Sequence, residues 1–135
     1  MFHNGFVTNY KELFVELFPN KDPSKMNLTD SELIAIMLGK QMDNGANLKT
    51  AIKTLVESKL IGTWRLAVME VNNPSQLYVV KNVGPMFIAK SNTSVIVCSD
   101  KEIYSDLPKA YIIKKMVNNM LYEIKDDCSI VEIAV

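Results

Sequence analysis

The chain opens with an Asn-Gly pair between apolar residues, in the stretch Phe2-His3-Asn4-Gly5-Phe6-Val7. An Asn-Gly pair in this setting is typical of a tight β-hairpin turn. A hairpin needs a strand on each side, however, and only three residues precede Asn4. The other role is chemical, because a side-chain amide beside a backbone N–H that no Cβ obstructs can stabilise an oxyanion. The local pattern leaves both interpretations open, a turn and an oxyanion hole.

The first half of the chain is patterned as helices. Apolar residues recur at helical spacing in three segments, each with a polar residue suited to the N-cap position. The second segment begins with a full capping box, Thr29-Asp30-Ser31-Glu32. The three helices are predicted from Asn9 to Pro19, from Thr29 to Asp43 and from Asn47 to Ser58.

After Gly62 the apolar pattern changes to the period of β-strands. The strand that follows has apolar residues in both alternating sets, which predicts that both of its faces are covered. Further strands are predicted at 76–81, 86–89, 95–98, 111–116, 120–125 and 130–135. Early helices and a late strand meander predict the α+β class, with antiparallel sheets and helices packed on their faces. No linker or repeat divides the chain, so residues 1–135 are predicted to form one domain.

The composition excludes several classes of protein. Lys and Arg equal Asp and Glu at 15 each, which argues against a nucleic-acid surface because such a surface needs a basic excess. No apolar run reaches membrane-span length. Two cysteines, Cys98 and Cys128, without a secretory leader indicate a reducing, cytoplasmic location. Since His3 is the only histidine, no multi-histidine metal site is predicted, and no cofactor is expected.

Three stretches together resemble class II glutamine amidotransferases, which are N-terminal-nucleophile hydrolases with an αββα sandwich. They are residues 3–10 (HNGFVTNY), 29–35 (TDSELIA) and 61–68 (IGTWRLAV). Within that class, residues 83–89 (VGPMFIA) followed by 98–100 (CSD) are most similar to the glutamine–fructose-6-phosphate aminotransferase family. The resemblance implies a partial αββα sandwich, the later part of that family's glutaminase domain. The chain departs from the family pattern at Val83, Gly84 and Ala89, where a glycine-rich bend is altered.

The resemblance also implies a role for each of three residues. Asn4 and Gly5 match the oxyanion hole for the tetrahedral intermediate of amide hydrolysis. Asp30 matches the carboxylate that binds the α-ammonium group of glutamine. The physical chemistry is compatible, because the dipole of a helix favours a negative charge in its first turn. From the residues alone, helix capping is the favoured explanation of Thr29 to Glu32, and the resemblance allows both roles together.

The family reaction hydrolyses glutamine and passes ammonia to fructose 6-phosphate, which yields glucosamine 6-phosphate. The family's N-terminal Cys nucleophile and its Arg-Trp-Ala-Thr-His stretch are not among these 135 residues. The chain is therefore expected to be a truncated glutaminase segment that is inactive alone, with the N-terminal and isomerase parts of the enzyme as partners. Exposed strand edges predict a homo-oligomer.

Two other functions stay open at this point. One is a non-catalytic interaction or regulatory module that has kept the scaffold. The other is a fragment of a different class II amidotransferase, such as the purine-pathway phosphoribosyl enzyme, which the Gly84-Pro85 region disfavours.

Overall fold

The computed structural model describes all residues from Met1 to Val135. They form two compact units, residues 1–64 together with Val135, and residues 65–134. The single-domain assignment of residues 1–135 stays a prediction.

The first unit contains one complete strand, the start of a second strand, and three helices. The complete strand β1 spans Phe2–Val7, and the second strand, β2, spans Gly62–Glu70. The helices are α1 (Tyr10–Leu17), α2 (Asp30–Asp43) and α3 (Leu48–Ser58), with a short 3₁₀ turn at Pro23–Lys25. All three predicted helices are confirmed to within two residues at each end.

The start of α2 is fixed by the predicted capping box. The Thr29 hydroxyl accepts a hydrogen bond from the Glu32 N–H at 3.2 Å, and the Glu32 carboxylate accepts one from the Thr29 N–H at 2.7 Å. Two backbone donors that would otherwise lack partners are satisfied reciprocally. This box places Asp30 at the first residue of the helix.

Asn9 occupies the predicted N-cap position of α1, but its side chain does not cap the helix. Its Nδ2 donates to the Lys59 carbonyl at 2.8 Å, and its Oδ1 accepts from the Ile61 N–H at 3.0 Å. An amide side chain carries both a donor and an acceptor, so it can hydrogen-bond to a backbone C=O and a backbone N–H of the same segment. Asn9 therefore joins the start of α1 to the segment between α3 and β2.

The strands β1 and β2 run in opposite directions and approach closely at two glycines. The Thr8 N–H donates to the Ile61 carbonyl at 2.8 Å, whereas Gly5, earlier in β1, lies against Thr63. A Cβ on Gly5 would lie 2.1 Å from the Thr63 oxygen, and one on Gly62 would lie 2.3 Å from the Phe6 oxygen. Because Asn4 and Gly5 lie inside a continuous strand, the hairpin-turn interpretation is wrong. Gly5 serves a close approach of two strands instead.

The second unit is built of antiparallel strands. The remainder of β2 pairs with β3 (Asn73–Lys81), β3 pairs with β7 (Met120–Lys125), and β7 pairs with β8 (Ile130–Ala134). A second sheet has the order β5-β4-β6, in which β4 is Phe87–Lys90, β5 is Val95–Cys98 and β6 is Ile112–Lys115. A 3₁₀ segment, Lys101–Asp106, lies between β5 and β6.

An apolar cluster fills this second unit. Tyr122 is fully buried, and its hydroxyl accepts a hydrogen bond from the Val117 N–H at 3.0 Å, so its one polar atom has a partner. The buried members of the cluster are Val79, Met86, Ile88, Met116, Tyr122 and Ile124. Helices in the first unit and antiparallel sheets in the second confirm the α+β class.

Both faces of β2 are predicted to be covered; one face is buried, and the other is covered only in part, where Ala67 packs against this apolar cluster. Trp64, Leu66 and Val68 are buried on one face. On the other face Ala67 is half-buried and Met69 is 46% exposed. An apolar residue on a strand is compatible with partial exposure, so apolar content alone does not establish cover on both sides.

Candidate functional site

The faces of β1 differ in exposure. Phe2, Asn4 and Phe6 are exposed, whereas the side chains of His3 and Val7, at the alternating positions, are buried. The strand packs against α2. Since successive side chains of a strand point to opposite faces, Asn4 and His3 point away from each other. The Asn4 side chain makes no hydrogen bond within the protein.

The Asp30 carboxylate is held by two backbone donors. Its Oδ2 accepts from the Val7 N–H of β1 at 2.9 Å, and its Oδ1 accepts from the Ser31 N–H at 2.9 Å. Hydrogen bonds from N–H groups to a carboxylate are stronger than those to a neutral oxygen. The side chain is 17% exposed, and it lies where the dipole of α2 favours negative charge. Each oxygen keeps a further lone pair for a donor.

His3 links β1 to the start of α2. Its Nδ1 lies 2.8 Å from the Ser31 hydroxyl oxygen and 3.9 Å from Oδ1 of Asp30. The imidazole is only 2% exposed, and its Nε2 is buried with no hydrogen-bond partner. Burial lowers the pKa of His3 below its usual 6.5, and the negative charge of Asp30 opposes this in part. The imidazole is therefore neutral at pH 7.

The lowered pKa of His3 predicts a loss of stability in mild acid. As pH falls below about 6.5, the unfolded chain binds a proton that the folded chain still excludes, so the free energy of unfolding decreases until the folded imidazole also titrates. Because His3 is the only histidine, its NMR titration gives one curve, which should have a midpoint below that of a model imidazole. Urea unfolding should give a lower free energy of unfolding at pH 5.5 than at pH 7.5, and this difference should be smaller in the His3→Gln variant. A midpoint at or above the model value would contradict the prediction.

The structure brings some of the predicted site residues together. It brings the carboxylate of Asp30 into a hydrogen bond with Val7, on the strand that contains Asn4 and Gly5. It does not bring the Asn4 side chain into hydrogen-bond contact with Asp30. The sequence gives no sign of the Val7 and Ser31 N–H donors to Asp30, since a backbone donor has no side-chain signature. The one sequence feature that pointed to this site is His3, the only histidine of the chain, directly before Asn4.

The other candidate residues lie elsewhere. No group of three or more His, Cys, Asp or Glu residues is placed to hold a metal ion. Asp127 lies in a turn, where hydrogen bonds from the side chain and then the backbone N–H of Ser129 lower its pKa. Cys98 is half-buried and Cys128 is buried, both as free thiols.

No helix combines the length and apolar character that a membrane span requires.

Relatives with curated names share sequence with most of this chain. The glutamine–fructose-6-phosphate aminotransferase (isomerizing) of Thermococcus kodakarensis is 30% identical over 98 residues, 73% of this chain and 16% of that protein. The enzyme of the same name from Aquifex aeolicus is 34% identical over 99 residues, with the same coverage. That of Pyrobaculum aerophilum is 29% identical over 110 residues, 82% of this chain and 18% of that protein. The chain therefore spans about one sixth of these relatives. No family model matches it.

Solved structures share the fold. A glutamine phosphoribosylpyrophosphate amidotransferase from B. subtilis, complexed with ADP and GMP, superposes with a TM-score of 0.78 at 18% identity. A structure described as the allosteric regulatory enzyme of purine biosynthesis gives 0.78 at 19% identity. Each match covers 98% of this chain, and 28% and 27% of the respective neighbour. At this identity the match establishes the fold, that of N-terminal-nucleophile amidotransferases, and confirms the partial αββα sandwich. By sequence and by fold, the chain is a homologue of a glutaminase-domain-like segment of the glutamine–fructose-6-phosphate aminotransferases.

Proposed function

We propose that this chain holds and polarises glutamine for hydrolysis of its side-chain amide. Asp30 binds the α-ammonium group, and Asn4 and Gly5 donate hydrogen bonds to the oxyanion that forms at the amide carbon. The attacking thiol belongs to an N-terminal cysteine outside these 135 residues. In the complete enzyme the released ammonia passes to fructose 6-phosphate, and the products are glutamate and glucosamine 6-phosphate.

The hydrogen bond from the Val7 N–H of β1 to the Asp30 carboxylate is the observation that carries this proposal. The Phe6 N–H donates to Thr63 Oγ1 of β2 at 3.3 Å, and the Thr8 N–H donates to the carbonyl of Ile61, just before β2. The N–H groups of a strand point alternately to its two edges, so we expect those of Gly5 and Val7 to point to the other edge. The Val7 N–H does so, and it is bonded to Asp30.

The spacing along this edge suits the proposed substrate. Gly5 and Val7 are two residues apart, which is about 6.6 Å along an extended strand. That span is comparable to the separation of the side-chain amide and the α-ammonium of an extended glutamine. An ammonium bound at Asp30 would therefore place the amide carbonyl near the N–H of Gly5.

The chemistry assigned to this chain is electrostatic. Attack of a thiolate on the amide carbon converts the carbonyl oxygen to an oxyanion, and donors already in place stabilise it without reorganisation. The two cysteines of this chain do not match the family nucleophile, because Cys98 lies within β5 and Cys128 lies in the turn after β7. In this proposal, binding of glutamine and polarisation of its side-chain amide are done by this chain, and the attack on the amide carbon is done by a thiol from another segment.

The proposed ammonium site can be tested by binding alone. Titration of the ¹⁵N-labelled chain with L-glutamine should shift the amide resonances of Gly5, Val7 and Ser31. Glutaramic acid, which is glutamine without its α-amino group, should shift them far less, because Asp30 would have no cation to bind. Equal responses to the two ligands, or no response at these residues, would contradict the assignment of Asp30.

A second test restores the missing part of the reaction. The chain alone should release no glutamate from glutamine above the blank rate, since it lacks the nucleophile. Addition of an N-terminal glutaminase segment that begins with the cysteine implied by the family resemblance should restore glutamate release, and Asn4→Ala should reduce it. Turnover by the chain alone would show that the nucleophile lies within it.

One observation favours a second function, that of an interaction module. On its outer edge β1 has no neighbouring strand, and Phe2 and Phe6 are 54% and 56% exposed. Open edges with exposed apolar residues pair with other chains. If this edge pairs, light scattering should show a dimer that Phe6→Lys converts to a monomer. A monomer at high concentration in the unmodified protein would argue against edge pairing.

A further inference from the structure

Three cationic side chains converge near the end of β3 in the second unit. Lys81 is a buried lysine with only 2% of its surface exposed. It lies directly opposite Arg65 in the pairing of β3 with β2. Burial lowers the pKa of Lys81, and the nearby charges of Lys115 and Arg65 lower it further. Arg65 is half-buried and Lys115 is exposed, so the cluster is open to solvent on one side.

The protein does not neutralise this cluster. The Lys81 ammonium donates to the Asn118 side-chain oxygen, which is neutral. No carboxylate lies within ion-pair distance of Lys81, Arg65 or Lys115. Like charges directly opposite each other on neighbouring strands are destabilising, and a buried charge without a counter-charge is costly. The cluster lacks the negative charge that would stabilise it.

The conformation of the chain at Gly84 makes room for the arginine. Gly84 has a φ of +78°, and a Cβ there would lie 2.8 Å from Nη2 of Arg65. The guanidinium lies against this bare backbone and makes no hydrogen bond within the protein. Its planar fork of N–H donors matches two oxygens of a phosphate or carboxylate.

We propose that Arg65, Lys81 and Lys115 form a binding site for a phosphate group. A dianion interacts about twice as strongly as a monoanion with the same cations at the same distance, so three cations favour phosphate over a carboxylate. Arg65 supplies the directional contacts, whereas Lys81 and Lys115 supply point charges. A purely structural role accounts for the bond from Lys81 to Asn118, but not for an arginine placed opposite a buried lysine. This site is separate from the proposed glutamine site and does not depend on it.

The test uses inorganic phosphate on the whole chain. At a fixed ionic strength of about 0.15 M, phosphate should raise the melting temperature in a saturable manner, by roughly 4 °C, whereas acetate and chloride should not. Arg65→Gln should abolish the rise. Lys125→Gln, which removes one exposed lysine elsewhere on β7, should leave it unchanged.

A second measurement needs no variant. Arg65 is the only arginine, so its side-chain Nε–H gives a single resonance in a ¹⁵N spectrum. Phosphate should shift this resonance along a binding curve that acetate at the same ionic strength does not reproduce. If phosphate neither shifts it nor stabilises the protein beyond chloride, the site does not exist. Equal loss of the effect in the Arg65 and Lys125 variants would likewise overturn the proposal, since it would indicate general screening.

Discussion

Replacement of Gly5 by alanine is expected to destabilise the protein by about 4 kcal/mol, an effect at the upper end for one substitution. Two causes combine. Gly5 has a φ of +144°, which side chains rarely adopt, and the new Cβ would lie 2.1 Å from the Thr63 carbonyl oxygen. That oxygen belongs to the backbone of β2, so the two strands must separate. Val7 lies on the same strand and its N–H donates a hydrogen bond to Asp30, the proposed ligand of the glutamine ammonium. Displacement of β1 should therefore abolish glutamine binding as well.

The matched control is Gly39→Ala in α2. Gly39 is exposed, and an added Cβ would meet no atom within 4 Å. Alanine is favoured over glycine in a helix interior by roughly 0.5–1 kcal/mol, so this variant should be more stable than the original chain. Urea unfolding of both variants measures the contrast. A Gly5 variant as stable as the original chain would show that β1 does not approach β2 as described.

Replacement of Asp30 by asparagine is expected to reduce the free energy of unfolding by about 2–3 kcal/mol. The carboxylate accepts one N–H from Val7 and one from Ser31, each by a different oxygen. An amide has only one oxygen, so its NH₂ group would face a backbone donor and leave it without an acceptor. The proposed ammonium contact is removed by the same change, and we expect glutamine affinity to fall at least tenfold, about 1.4 kcal/mol.

Asp43→Asn provides the control for this variant, because Asp43 is an exposed acid at the other end of the same helix. A negative charge near a helix C-terminus opposes the dipole, so its removal should be neutral or slightly stabilising. A third readout is the pKa of His3, which the charge of Asp30 raises. In Asp30→Asn that pKa should move further down, and the single histidine resonance reports it. If the free energy of unfolding of Asp30→Asn were within about 0.5 kcal/mol of that of the original chain, the role of Asp30 would be contradicted.

The sequence predicts an element correctly where the interactions that fix the element join residues close together in the chain. The capping box at Thr29 places α2 correctly, because both of its hydrogen bonds join residues three apart. The sequence-based prediction was wrong where the partners of a residue lie far away in the chain. Asn9 has the composition of a helix cap, yet its side chain binds the backbone of Lys59 and Ile61, about fifty positions away. Asn4-Gly5 has the composition of a turn, yet it lies within a strand.

The sequence alone determined the helices, most of the strands, the α+β class and the family resemblance. Periodicity and capping are properties of neighbouring residues, and they can be read without the fold. The tertiary structure decided that the Asp30 carboxylate binds the Val7 N–H of β1, that His3 is buried beside it, and that Gly5 meets the backbone of Thr63. It also placed Arg65 opposite Lys81. These contacts join positions from about sixteen to sixty residues apart, and several are made by backbone atoms, which every residue type carries and which leave no pattern in the sequence.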